Sequence, residues 1–272
     1  MAEQREHGID RDAMVEAAAR ANALDRYLAA RLAPRGARRD LITLAAFVGE
    51  TARIVATASE PLVGEMRLQW WRDALAPERA GGEAVGSPIA DALRETIARH
   101  ALPAELVSTL LDARSRALDP GFIAAGTKLD QYFDETEGQG FRLAARILGI
   151  RASATADELL FAAGQAYGRV QLLRAVPLML GARSRSSPAQ LVNDWAALAP
   201  ALLEGARSWL QEARLQSPDT PAAIPAVLPV ALVEPYLAAL ERLGPGRVRE
   251  RADISPLTRV WRLWWASVRG KI

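Results

Sequence analysis

The chain is punctuated from end to end by helix starts and stops, and no hairpin turn joins alternating apolar runs anywhere along it. Ser59 with Pro61, Ser87 with Pro88, Ser187 with Pro188 and Ser255 with Pro256 each set a capping hydroxyl before a proline. That proline's missing N–H costs nothing in a first helical turn. Thr155 and Glu158 have the spacing of a capping box. Between these signals Ala, Leu and Arg dominate and β-branched alternation is missing, so helix is the expected state.

Helices are expected over about 11–32, 39–58, 59–77, 87–100, 103–119, 128–148, 155–180 and 187–216, with a last one opening at Ser255. In the first, Met14, Ala18, Leu24, Leu28 and Leu32 are expected to face inward. Pro177 is expected to kink one helix and Pro200 to divide another. Residues 78–86 read as a Gly-rich loop and 217–229 as a proline-rich break. The pattern supports an all-α fold, a single-domain helical bundle of about ten helices over residues 1–272, with 1–10 a flexible tail.

Composition removes several chemistries. Across 272 residues, 34 basic side chains are nearly cancelled by 32 acidic ones, so no general electrostatic case for nucleic acid exists. Cysteine is absent, which excludes disulfides, thiolate metal sites and cysteine nucleophiles. Only His7 and His100 are present, too few for a zinc site or a Ser-His-Asp triad. Carboxylates remain as metal ligands, and these favour magnesium or calcium. No run of ~20 uninterrupted apolar residues occurs. The acidic N-terminal stretch, with Glu3, Glu6, Asp10 and Asp12, fits neither a secretory signal nor a transit peptide. A cytoplasmic protein, soluble or peripheral to the inner membrane, is expected.

The stretch LAAFVGETARIVATASEPLVGEMRLQWWRDAL, Leu44 to Leu75, carries two tryptophans, with Met66 and Trp70 on one helical stripe and Glu65, Gln69 and Asp73 on another. It resembles the squalene/phytoene synthase family, especially the branch related to a mitochondrial complex I assembly factor. YFDETEG, Tyr132 to Gly138, and the run Gly164 to Arg174 extend the resemblance. It implies an isoprenoid synthase-like bundle around a central cavity. It also implies prenyl transfer in which two Asp-x-x-x-Asp motifs on facing helices hold magnesium against a departing diphosphate, the spacing setting paired carboxylates one turn apart.

Those motifs are absent here. The first pair falls at Ala52 and Ala56, and Leu41 to Ala58 contains one carboxylate, Glu50. The second falls at Ala175 and Met179, and Leu159 to Asn193 contains neither Asp nor Glu. A literal Asp-x-x-x-Asp does occur at Asp130 and Asp134, beside Glu135, although the resemblance places Asp134 at a small, uncharged position. Two carboxylates at helical spacing usually form a solvated face, so no metal is expected, and Asp130 and Asp134 stand as the alternative. Candidate pocket residues are Glu50, Arg67, Gln69, Tyr132, Thr136, Gly138, Arg142, Gly164, Tyr167, Gly168, Gln171 and Arg174. The three glycines read equally as tight helix contacts.

In the last helix Leu257, Val260, Trp261, Trp264 and Val268 are expected to face the core, leaving Trp265, Arg259, Arg262, Arg269 and Lys271 outside. From Arg242 onward there are eight basic and two acidic residues, a composition that also suits an anionic membrane surface or a partner. The expected function is that of a divergent family member that has lost magnesium-dependent condensation of prenyl diphosphates. It would bind a prenyl or lipid ligand, or a respiratory-complex protein as partner, without a cofactor. The alternative is an active prenyltransferase with a rebuilt metal site, which alone would require Mg2+.

Overall fold

A computed structural model of the protein describes residues 2–76, 84–119, 121–122, 128–182, 188–244 and 249–272. Among the described residues there is no strand. The helices are α1 (Ala2–Asn22), α2 (Leu24–Leu32), α3 (Arg38–Thr57), α4 (Pro61–Ala74), α5 (Pro88–His100) and α6 (Ala104–Arg116). Helix α7 spans 129–147, with a π-helical turn at Asp134–Gly138 between two α-helical parts. There follow α8 (Ala154–Ala182), α9 (Pro188–Gln216), α10 (Val233–Leu243) and α11 (Pro256–Arg269). The expected Gly-rich loop at 78–86 and the Ser187 start signal lie largely outside the described residues.

Two of the expected caps form, whereas Ser59 does not cap α4, whose N-cap is Glu60 with no side-chain hydrogen bond. Ser87 and Ser255 accept hydrogen bonds from the amides of Ala90 and Thr258, starting α5 and α11. Ser153, rather than the expected Thr155, caps α8 by accepting from the Ala156 amide at 3.2 Å. Pro200 does not divide its helix, for α9 runs on through it.

The first expected helix is in fact two, broken at Ala23, whose φ of −145° and ψ of 51° leave the α region. The break changes which side faces in. Val15, Ala19 and Tyr27 are buried, whereas Met14 and Leu32 are exposed. Residues expected to form a tail are helical from Ala2.

Core packing is continuous from Val15 to Ala266. Trp71 of α4 is fully buried and meets Phe47 of α3 edge to face, ring centroids 5.1 Å apart. A buried side chain of that size contributes about 1.5–3 kcal/mol over its exposed state. The stretch Pro221–Leu243 has the length and mean hydropathy, 1.8, of a membrane span, yet 67% of its most apolar 18-residue window is buried within the bundle. Its prolines break it into short turns before α10 begins.

Helix α11 reverses the expectation. Leu257 is 78% exposed and Val268 62%, while Val260, Trp261, Trp264 and Trp265 also face outward. The buried stripe is Arg259, Leu263 and Ala266. Helical periodicity admits either stripe; the ion pairs that Arg259 makes inside the bundle fix the choice.

Gly164 of α8 allows the closest helix contact. A Cβ there would lie 2.7 Å from the Cα of Gly138, so the two backbones meet directly. Gly164→Ala is expected to destabilise the protein by about 1–3 kcal/mol through overpacking. At Gly181 no atom lies within 4 Å of an added Cβ, so Gly181→Ala should stabilise α8 by up to ~1 kcal/mol. Thermal denaturation of the two variants should shift in opposite directions, by about 2–4 °C per kcal/mol for a chain of this size.

Candidate functional site

The α1–α2 break, α3, α7, α8 and the segment 251–259 enclose a cavity of about 820 Å3. Ala52 and Ala56 of α3 and Ala175 and Met179 of α8, the four positions where the resemblance places aspartates, all line it. None offers an oxygen to a metal. The cavity is instead rich in guanidinium groups: Arg20, Arg26, Arg53, Arg114, Arg174, Arg251 and Arg259 against Asp25, Glu137 and Asp253.

Two buried carboxylates organise these cations. Glu137 sits on the π-helical turn of α7, which sends it inward while Asp134 and Glu135 meet Arg142 and Arg116. It accepts from Arg26 at 2.7 Å and from Arg114 at 2.9 Å, and Arg114 also donates to the Tyr132 hydroxyl at 2.7 Å. Burial pushes the Glu137 carboxyl up, but Arg26 and Arg114 outweigh burial and hold it below its ordinary range.

Asp25 of α2 is the second hub. It accepts from the Tyr236 hydroxyl of α10 at 2.9 Å and from Arg259 Nε of α11 at 2.9 Å, with Arg174 of α8 at 3.5 Å. Tyr167 and Gln171 each approach it at 3.4 Å. Burial, with the negative charge of Asp25 beside it, raises the Tyr167 phenol well above its usual range, so it stays a neutral donor. The Arg174 guanidinium lies 3.8 Å over the Tyr236 ring, a desolvated cation–π contact.

The expected pocket residues divide into three groups. Tyr132, Thr136, Tyr167, Gly168, Gln171 and Arg174 line the cavity together. Glu50 and Arg67 lie apart from it, in a groove between α3 and α4. Gly138, Gly164, Arg142 and Gln69 line neither: the first two form the backbone contact, Arg142 pairs with Asp134 at 2.7 Å, and Gln69 donates to Asp73 on the exposed side of α4.

The alternative metal ligands do not converge. Asp130 pairs with Arg169, Asp134 with Arg142 and Glu135 with Arg116. Magnesium does not fit the cavity either. Its hard-cation chemistry needs several oxygen ligands, and here four cations in excess would repel it.

Sequence reasoning missed Asp25, Arg26, Arg114, Glu137, Tyr236 and Arg259. One signal was present. Glu137 lies inside the stretch Tyr132 to Gly138 that carries the resemblance, between Thr136 and Gly138, and a charge held inside a bundle demands partners.

Residues 19–258 match the profile of a protein family described as Squalene/phytoene synthase. Among curated proteins, the chain is 29% identical to the NADH dehydrogenase (ubiquinone) complex I assembly factor 6 of Mus musculus over 151 residues. It is 30% identical to the Homo sapiens protein of that name over the same length. Each match covers 56% of this chain and 45% of the relative, so less than half the relatives' length is represented. The crystal structure of squalene synthase HpnC from Alicyclobacillus acidocaldarius has a similar fold, with a TM-score of 0.58 and 20% identity over 86% of this chain and 94% of that one.

Glu137→Gln removes the shared counter-charge of two buried guanidiniums and is expected to cost about 3–5 kcal/mol in urea denaturation. Because folding depresses the Glu137 pKa, its stabilisation is fully present above its ordinary value of 4.5 and is lost as pH falls through the lower folded value. The wild type should therefore lose stability in that acid window, and Glu137→Gln should lose less there.

Proposed function

The chain belongs to the squalene/phytoene synthase family, and from that premise we propose that it is a divergent member that binds a lipid-like ligand or a protein partner without catalysing magnesium-dependent condensation of prenyl diphosphates. One observation carries the reading. Ala52, Ala56, Ala175 and Met179 line the same cavity, and no carboxylate pair replaces them there. Condensation must stabilise the charge that develops on departing diphosphate, and the carboxylates that do line the cavity, Asp25, Glu137 and Asp253, are each paired with arginine instead of being free for a metal clamp.

The named relatives are complex I assembly factors, which supports a respiratory-complex protein as the partner and the inner membrane as the place of action. Helix α11 supports a peripheral attachment. Its outward tryptophans 261 and 265 stack with centroids 5.8 Å apart, and Arg269 lies 4.3 Å over the Trp265 ring. Amphipathic aromatics beside Arg262, Arg269 and Lys271 suit the boundary between acyl chains and anionic headgroups.

With magnesium and farnesyl or geranylgeranyl diphosphate, pyrophosphate release is expected to remain at the level of buffer. Turnover that Asp130→Ala abolishes would sink the reading in favour of a rebuilt transferase site. Sedimentation with vesicles containing phosphatidylglycerol should exceed that with neutral vesicles. Replacing Trp261, Trp264 and Trp265 together by alanine should reduce it at least tenfold, since each indole contributes up to a few kcal/mol of apolar burial.

A further inference from the structure

The groove between α3 and α4 measures about 720 Å3 and is lined by Ile54, Val63, Met66, Trp70 and Trp71, with Glu50 and Arg67 at its polar edge. It adjoins the cavity. Asn22, Arg53 and Thr57 line both, and Arg53 donates to the Asn22 side chain at 3.4 Å on the boundary. A cationic chamber and an apolar trough therefore meet at one shared rim.

The two ends differ in what they require. In the chamber, seven guanidiniums face three carboxylates, and Arg251 stands exposed at its edge. Guanidinium forks match phosphate oxygens bidentately and need no bridging metal. In the groove, Met66 is 66% exposed and Trp70 41%, with Leu62 beside them and Leu178 at the cavity mouth also exposed. A chain lying there would keep one side open to its surroundings, as a phospholipid lifted only partly from a bilayer would.

We propose that the chamber and the α3–α4 groove form one divalent-cation-independent site for an anionic phospholipid, its phosphate on the arginines and its acyl chain along Ile54, Val63, Met66 and Trp70. Charge complementarity selects the head, and the rim that the two spaces share at Arg53 sets the direction of the chain. The proposal rests on the reading of the protein as a non-condensing lipid binder. It adds the ligand class, the independence from metal and the path of the chain.

The test is calorimetric titration of the full chain with lauroyl lysophosphatidate below its micelle concentration. The triple alanine variant of Trp261, Trp264 and Trp265 serves as host, so that α11 contributes no signal. Saturable one-to-one binding is expected, unchanged within about twofold between EDTA and magnesium. Inorganic phosphate, which has the head alone, and dodecyl maltoside, which has a chain alone, should each bind at least tenfold more weakly. Arg251→Glu at the head and Met66→Asp at the chain, both exposed positions, should each weaken binding at least tenfold with helical content unchanged.

A requirement for magnesium, or binding indifferent to Met66→Asp, would overturn the proposal. So would a dimer that Met66→Asp dissociates while the lipid fails to bind, which would assign the groove to a second copy. The pyrophosphate assay reads the other question separately: silence there with no lipid binding removes this inference and leaves the non-condensing reading standing, whereas turnover removes the latter.

Discussion

Four arginines are buried around the cavity, and the fold is arranged so that none of them is alone. A desolvated guanidinium without a counter-charge would cost several kcal/mol, comparable with the whole stability of a domain. Glu137 answers Arg26 and Arg114, and Asp25 answers Arg174 and Arg259. The other features of the interior follow from these pairings. The π-helical turn aims Glu137 inward, Gly138 and Gly164 let α7 and α8 come close enough for it to reach, and α11 turns its tryptophans out so that Arg259 can turn in.

The consequence for chemistry is an inversion of sign. A cavity built to hold magnesium presents carboxylates and borrows its positive charge from the ion. Here the protein carries the positive charge itself, in side chains that are always protonated and whose planar donors have fixed directions. Such a chamber can hold an anion at rest. Within it, Asp25 and Glu137 fix the directions of the buried guanidiniums.

Much of the fold was legible in the sequence because its signals are local. Ser87 and Ser255 cap the helices they precede, and the ends of α3, α5 and α7 fall within a residue or two of the expected ones. The site was legible only where the resemblance supplied positions, as with Tyr132, Gln171 and Arg174. What local pattern could not give was the partner of a buried charge. Nothing near Asp25 in the sequence points to Tyr236 and Arg259, which the structure brings to it. The face of α11 failed for the same reason: two stripes satisfied its periodicity, and an aspartate more than two hundred residues earlier decided between them.

That separation has a bearing on how the molecule comes into being. Asp25 lies near the beginning of the chain and Arg259 near the end, 234 residues later. During synthesis from the N-terminus, α2 emerges long before the helix that supplies its counter-charge, so the chamber stays open to water until α11 docks. Closure of the interior thus waits on α11 reaching α2. A membrane or partner that engages the tryptophans of α11 would act on the same element that seals it.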